Sequence, residues 1–413
     1  MVEVSSITNP KHTVQFCVRC TYAKLNELTN GTPIIKQHAI ISLKNIRNNK
    51  FVIHPLTSFI FSNWKHRAYN TQRHHANNVV SFLNFLLVHP KVKINSFSQL
   101  TFEHASLFLN FLTKESRSRS TIKGIQRTLT LFYEYLAKKQ LLLAVTPDQF
   151  DRRSNPHDPY KTYTTSPFKG IILPGRDLPH QAHMLPEEYI IPFIETAVRV
   201  ANPIALGIYF QCFGGIRVGG LVNIRRDDVA SIGAYGAHGM IIKLQKKIMR
   251  PDVVDLEGST YVKKPRKQVV YPIKNWLQIL YKEHLKSYSP LDGSNALFVT
   301  TEGKAMTGSS YRYYFSKAKK EFLLRLRQST NPIDRVNASK LEEFKWSTHI
   351  GRGIFTNLLA EEASNVYDIA LPRGDSNLSS SLVYQGNTLR MKHKLEAHLD
   401  DLYKDYLPKL NNR

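Results

Sequence analysis

Six prolines, Pro147, Pro156, Pro159, Pro167, Pro174 and Pro179, crowd the stretch from Thr146 to Met184, where few apolar residues recur. Each ring fixes φ and removes a backbone donor, so neither a long helix nor a central strand can run through such a stretch. It divides the 413-residue chain into two parts, each long enough to bury a core of its own. Its composition predicts a proline-rich extended linker over 146–184.

Before the linker, residues 51–145 carry helical periodicity. It is clearest from Thr121 to Lys139, where Ile122, Ile125, Leu129, Phe132 and Leu136 recur at three- and four-residue steps. The other face of this helix bears Lys123, Arg127, Lys138 and Lys139. One apolar and one basic side suit a helix that packs on a core while lying along phosphates, and a solvated charged face is the plainer alternative. Residues 1–50 mix short alternating apolar stretches with Asn and Lys and sustain no helix pattern, so a small N-terminal appendage of uncertain structure is expected there.

After the linker, Pro186 suits a first helical turn, and Ile190, Phe193, Ile194 and Val198 follow at helical spacing. Residues 239–273 read as strands, Met240-Ile241-Ile242 and then Val269-Val270-Tyr271, joined by a lysine-rich connection. The expected fold is mainly α: a basic helical domain over 51–145, then an α+β domain over 185–413 with a small antiparallel sheet and a C-terminal helix.

Lys and Arg outnumber Asp and Glu by 57 to 32, a formal net charge of +25 spread along the chain. A polyanion is the expected partner, nucleic acid ahead of a membrane surface. No apolar run is long enough to span a bilayer, and Met1 to Pro10 lack the apolar core of a signal peptide, so a cytoplasmic, DNA-associated protein is expected. Cys17, Cys20 and Cys212 are too few for a disulfide framework, and a reducing compartment fits. Cys17 and Cys20 form a Cys-x-x-Cys pair that His12 and His38 could complete as a zinc site. A second Cys pair is absent, and two ordinary thiols are the preferred reading.

Breaking a DNA phosphodiester takes a nucleophile, cations on the non-bridging oxygens and an acid for the departing 5′ oxygen, so arginines and lysines should dominate such a site. Three segments answer to this. The first is Phe213-Gly214-Gly215-Ile216-Arg217-Val218-Gly219-Gly220-Leu221, an arginine just after a glycine pair. The second is His349-Ile350-Gly351-Arg352-Gly353 with the amphipathic Ile354 to Leu359 behind it. The third runs from Gly374-Asp375-Ser376 to Tyr384.

In these residues the chain resembles the tyrosine recombinases, the phage integrase family. That family has a Gly-Leu-Arg motif, a His-x-x-Arg-His motif, a Gly-His-Ser-like motif and, nine residues past its histidine, a nucleophilic tyrosine. Here Arg352 and Tyr384 lie 32 residues apart, and Asp375 lies nine before Tyr384. The resemblance covers about 185–407 and, more loosely, the helical domain before it, where Ser120 to Ala137 looks like the last helix of the family's core-binding domain.

The resemblance implies a core-binding and a catalytic domain clamping duplex DNA, and it assigns roles position by position. Arg217 and Arg352 would grip the scissile phosphate with paired guanidinium donors. His349 would hydrogen-bond the phosphate or accept the tyrosine proton, and Tyr384 would attack. The family's general acid is a lysine on a strand hairpin. Counting back from Val269-Val270-Tyr271-Pro272 gives Lys264, while counting forward from Met240 gives Lys246 or Lys247. Lys264 is preferred because a lysine beside the turn can swing into the minor groove. Lys246, Lys247, Lys263 and Lys267, with Lys123 and Arg127, would then contact phosphates. Neither a cofactor nor a metal is implied, and the family's partner would be double-stranded DNA held by a homo-tetramer on two sites.

Three residues depart from the family pattern. Gly353 stands where a second histidine usually closes the His-x-x-Arg motif. Asp375 replaces the His or Trp that donates to the phosphate, and a carboxylate there repels the anion unless protonated or turned away. Gly220 replaces a common acidic residue that steadies the site. After Tyr384, Met391, Leu395, Leu399, Leu402 and Tyr406 recur at helical spacing, as a subunit contact or an intramolecular core helix. The function so implied is site-specific strand transfer for integration or excision of a mobile element. Its rivals are a type IB topoisomerase and a DNA-binding accessory protein on a weakened recombinase scaffold.

Overall fold

Residues near the N-terminus pair as strands. β1 (Val14–Leu25) and β2 (Ile34–Asn45) run antiparallel in unbroken register, with Phe16 opposite Leu43 and Val18 opposite Ile41, and β3 (Phe51–Ile53) adds to the far edge of β2. Side chains alternate along a strand, so Phe16, Val18, Ile41 and Leu43 share one face, and that face joins a hydrophobic core. The computed structural model describes residues 13–25, 34–155, 158–175, 185–255, 257–343 and 346–375. They divide into two units, Met1–Leu178 with Leu256–Gly258 and Pro179–Asp255 with Ser259–Arg413.

In the first unit the core is completed by α1 (Thr57–Trp64), α2 (Tyr69–Val88), α3 (Phe102–Lys114) and α4 (Arg119–Lys138). The α4 stripe of Ile122, Ile125, Leu129, Phe132 and Leu136 is buried, and Lys123 and Arg127 are exposed on the same helix. Two expectations differ from this structure. The described part of 1–50 is a sheet whose residues join this core, where a small appendage of uncertain structure was expected. The described part of 146–184 is not an extended linker.

The hairpin of β4 (Arg152–Asn155) and β5 (Asp158–Thr164) folds there, and Phe150 and Phe168 pack edge-on against Phe102. Side chains of α3 and α4 take up the backbone beyond. Asn110 donates to the Gly170 carbonyl and accepts from the Ile172 N–H, and Arg119 donates to the Pro174 carbonyl. Proline content excludes long regular elements but says nothing about whether neighbouring side chains hold the loop, and here they do.

Cys17 and Cys20 are three positions apart on β1, which sends their side chains to opposite faces. His38 is buried with Nδ1 against Gln72 Oε1 at 3.1 Å, and His12 lies outside the described residues. Among the described residues no group of three or more His, Cys, Asp or Glu could hold a metal ion.

The second unit is built around α6 (Ala205–Gly214), mostly apolar, buried nearly all round and correspondingly central. α5 (Ile190–Val200) lies before it in the chain. The short α7 (Val218–Leu221) follows, then an antiparallel sheet in sequential order, β6 (Val229–Ser231), β7 (Met240–Leu244) and β8 (Arg266–Val270). Helices α8 (Trp276–Ser287), α9 (Gly308–Arg327), α10 (Pro332–Glu343), α11 (His349–Glu362) and α12 (Val366–Arg373) complete it. Buried Gln211 of α6 fixes the start of α11. Its amide donates to the Thr348 carbonyl at 3.1 Å and accepts from the Tyr311 hydroxyl of α9 at 2.9 Å. Among the described residues no helix is long and apolar enough to cross a membrane.

His284 of α8 gives this unit a titratable core. Only 3% exposed, it sits 2.9 Å from the Leu297 carbonyl, and since a carbonyl only accepts, Nε2 carries the proton of a neutral ring. Burial, with Arg226 adding to it, pushes its pKa down to about 4. The unfolded ring titrates near 6.5, so between those values the unfolded chain binds the extra proton. The stability this ring contributes is therefore complete above about pH 6.5 and falls by roughly 3 kcal/mol as pH drops toward 4. Urea unfolding measured across that window should show the loss, and His284→Gln should flatten it; an equally steep curve for the variant would remove His284 as the cause.

Candidate active site

The turn between α6 and α7 places the first arginine. Gly215 closes α6 in the left-handed region at φ 61°, a conformation that favours glycine, and a Cβ there would run into the Phe355 ring. The chain then extends through Arg217, which caps α7. On α11, Arg352 follows His349 by three residues, so the two share a face one turn apart. Arg352 is buried and His349 is exposed. α12 ends at Arg373, Gly374 closes it at φ 64°, and Asp375 comes next with its N–H on the Ala370 carbonyl.

These segments converge on Asp375. Its Oδ1 lies 2.8 Å from Arg352 Nη2 and 3.8 Å from Arg217 Nη2, and its Oδ2 lies 3.2 Å from Arg373 Nε. Arg352 also donates from Nη1 to the Gly215 carbonyl at 2.7 Å and from Nη2 to the Arg373 carbonyl at 3.1 Å. One guanidinium thus ties α11 to the α6–α7 turn and to the end of α12. Arg266, the first residue of β8, adds a fourth cation, its Nε donating to Gln268 Oε1 at 2.7 Å.

Crowding among these cations shows in their protonation. Burial first, then repulsion from Arg217 and Arg373, pushes Arg352 down to about 9 despite the opposing Asp375. Arg266 is pushed down to about 10 by burial and then by Arg217. Burial likewise lowers Arg217, with Asp375 opposing and Arg373 adding to the fall. Arg352 and Arg266 remain charged at neutral pH. Among the described residues four guanidiniums face one carboxylate, a partly desolvated excess of positive charge that an added anion such as a phosphate would relieve.

The other residues singled out in the sequence fall in several places. Lys264 lies half-exposed in the connection from β7 to β8 with Lys263 exposed beside it, and Lys246 and Lys247 are exposed at the opposite end of that connection. The two counts that reached different lysines thus started from its two ends. The connection is long but anchored. Asn223 donates to the Gly219 and Thr260 carbonyls at 2.8 and 2.6 Å and accepts from the Met249 N–H at 2.8 Å. Lys267 is exposed on β8 opposite Lys243 of β7. Lys123 and Arg127 belong to the first unit. Tyr384 and the apolar stripe from Met391 to Tyr406 lie outside the described residues.

Arg266 and Arg373 escaped the sequence reading. Strand parity was the available signal for Arg266: counting back in twos from the apolar Val270 puts Gln268 and Arg266 on the covered face and Lys267 on the other. Arg373 carried no signal beyond standing next to the Gly374-Asp375 pair.

No protein-family model matches the chain, and no curated protein does. Solved structures do. A fragment of the Tn1549 transposon integrase in complex with circular intermediate DNA is similar at a TM-score of 0.53 and 17% identity, over 82% of this chain and 98% of that one. The XerH site-specific recombinase bound to a palindromic difH substrate, in a post-cleavage complex, is similar at 0.50 and 18% identity, over 83% of this chain and 82% of that one. Covering more than four fifths of its length, this likeness gives the chain the fold of the tyrosine recombinases.

Proposed function

We propose that the chain cleaves and rejoins duplex DNA as a site-specific recombinase, with Tyr384 as the nucleophile. The observation that carries this reading is the convergence of Arg217 and Arg352 on one point, nine residues before Tyr384 in the chain. In the reaction the Tyr384 oxygen attacks the phosphorus, and the bond to the 5′ oxygen breaks. A phenol titrates near 10, so the cations and His349, as hydrogen-bond donor to the phosphate or acceptor of the tyrosine proton, favour its deprotonation. Arg217 and Arg352 hold the non-bridging oxygens, and Lys264 gives its proton to the departing 5′ oxygen. The products are a 3′ phosphotyrosine and a free 5′ hydroxyl. The same steps run backward with another strand's 5′ hydroxyl, and no external energy source is needed because one phosphoester replaces another.

Exchange between two sites implies four protomers on two duplexes, and integration or excision of a mobile element is the setting this reading favours. Lys123, Arg127, Lys246, Lys247, Lys263 and Lys267 would hold backbone phosphates. One observation favours a second reading. Asp375 occupies the guanidinium cluster as a phosphate would, which suits a DNA-binding accessory protein whose site no longer cleaves.

Nicked suicide duplexes carrying the ends of the host element separate the two. Wild type should form a covalent complex that survives denaturing electrophoresis, and Tyr384→Phe should form none. Binding by wild type without any adduct would sink the cleavage reading and leave the accessory one. Relaxation of supercoiled DNA of any sequence, without exchange of strands, would point instead to topoisomerase activity.

A further inference from the structure

We propose that Arg266 is a third phosphate-holding guanidinium of this site, supplying the donor to a non-bridging oxygen that Asp375 cannot supply. This rests on the strand-transfer reading for its substrate, and on the geometry alone for the anion site. Arg266 is aimed by its neighbours. Gln268, two residues along the same face of β8, donates to the Pro372 carbonyl at 2.7 Å, which ties the strand to the end of α12. Gln268 then accepts from Arg266 Nε, so the inner nitrogen of the guanidinium is fixed and its outer nitrogens extend beyond. Below, the Arg266 stem crosses Gly374, where an added Cβ would lie 2.5 Å from Arg266 Cδ.

What the outer nitrogens meet carries the argument. Arg266 Nη2 is buried and finds no hydrogen-bond partner among the described residues. A buried donor on a charged group left unpaired is costly, and native structures rarely keep one without a use. Asp375, the nearby carboxylate, is already engaged by Arg352, Arg217 and Arg373. An arginine kept only for structure would have its donors met by the fold. One placed in an excess of positive charge, with an unmet buried donor, is arranged for an anion that arrives from outside, and two oxygens of a phosphate match its paired donors.

The test uses the full chain and two probes. The first is inorganic sulfate, exchanged for chloride at constant ionic strength while thermal unfolding is followed. Wild type should melt higher in sulfate. Arg266→Gln should melt at or above wild type in chloride, because a crowded cation has gone, and should lose the sulfate response, while Arg266→Lys should recover part of it. The second probe is a pair of nicked duplexes with a phosphate or an uncharged methylphosphonate at the scissile position. Arg266→Gln should form adduct about 100-fold more slowly on phosphate and within a few-fold of wild type on methylphosphonate.

A glutamine variant that keeps the full sulfate response, or that melts lower in chloride and loses rate equally on both duplexes, overturns the proposal and makes Arg266 a structural residue. If wild type forms no adduct on any DNA while its sulfate response still depends on Arg266, the anion site stands and the strand-transfer reading falls.

Discussion

Arg352→Ala should lose both stability and chemistry, whereas Arg217→Ala should lose chemistry alone. The difference follows from burial. The Arg352 side chain is 7% exposed, and it links the Gly215 carbonyl, the Arg373 carbonyl and Asp375, so its removal takes a donor from three acceptors in two segments. Removing one partner of a buried ion pair costs about 3 kcal/mol or more. Arg217 is 29% exposed and meets Asp375 only at 3.8 Å, so its loss should cost less than about 1 kcal/mol. Both variants should slow adduct formation by roughly 1,000-fold, since each would remove a charge that stabilises the phosphoryl transition state. Urea unfolding alongside adduct rates on a nicked duplex measures the two effects separately. Equal destabilisation by the two substitutions would mean that Arg352 is not the structural tie described, and unchanged rates for either would remove it from the chemistry.

The candidate site was legible in the sequence in part, at motifs whose residue types and spacing single them out. Arg217, Arg352 and Asp375 were found from three short motifs, and the structure brings all three together. What the motifs could not convey was the sense of Asp375. Alone in sequence it is an anion where an anion should bind. In the fold it is surrounded by guanidiniums and holds them, a task otherwise expected of an acidic residue at the Gly220 position. A pairwise charge argument needs the neighbours, and Arg266 and Arg373 reach the site from elements whose approach no linear spacing announces.

The fold was legible in proportion to the length of its periodic signals. Twenty residues of α4 repeat an apolar stripe often enough to be unmistakable. In β1 and β2 the inward Phe16 and Ile41 alternate with residues that the opposite face also partly covers, including buried Ile40 and Ser42, so the two-residue period is blurred. The proline-rich segment misled for a different reason. Its order comes from Phe150, Phe168 and the side-chain donors of Asn110 and Arg119, which are long-range contacts invisible to a local composition.

Asp375→Asn should expose how much this one carboxylate restrains the cluster. The substitution keeps the shape and removes the one negative charge that the described residues place among the four guanidiniums. With Asp375 only 8% exposed, solvent screens little of the resulting repulsion, and a loss of about 3 kcal/mol is expected. For a unit of this size that amounts to a fall of roughly 10 °C in Tm. The loss should be conditional, because an external anion can replace the missing charge. Sulfate at constant ionic strength should restore most of the melting temperature of the variant and move wild type less, and duplex DNA should bind the variant more tightly once the internal competitor is gone. The carboxylate and the scissile phosphate would then be alternative occupants of one cationic site, and entry of DNA would require Asp375 to yield its place. An asparagine variant as stable as wild type in chloride, with no added response to sulfate, would show instead that the guanidiniums are held apart by the backbone and that Asp375 is a bystander among them.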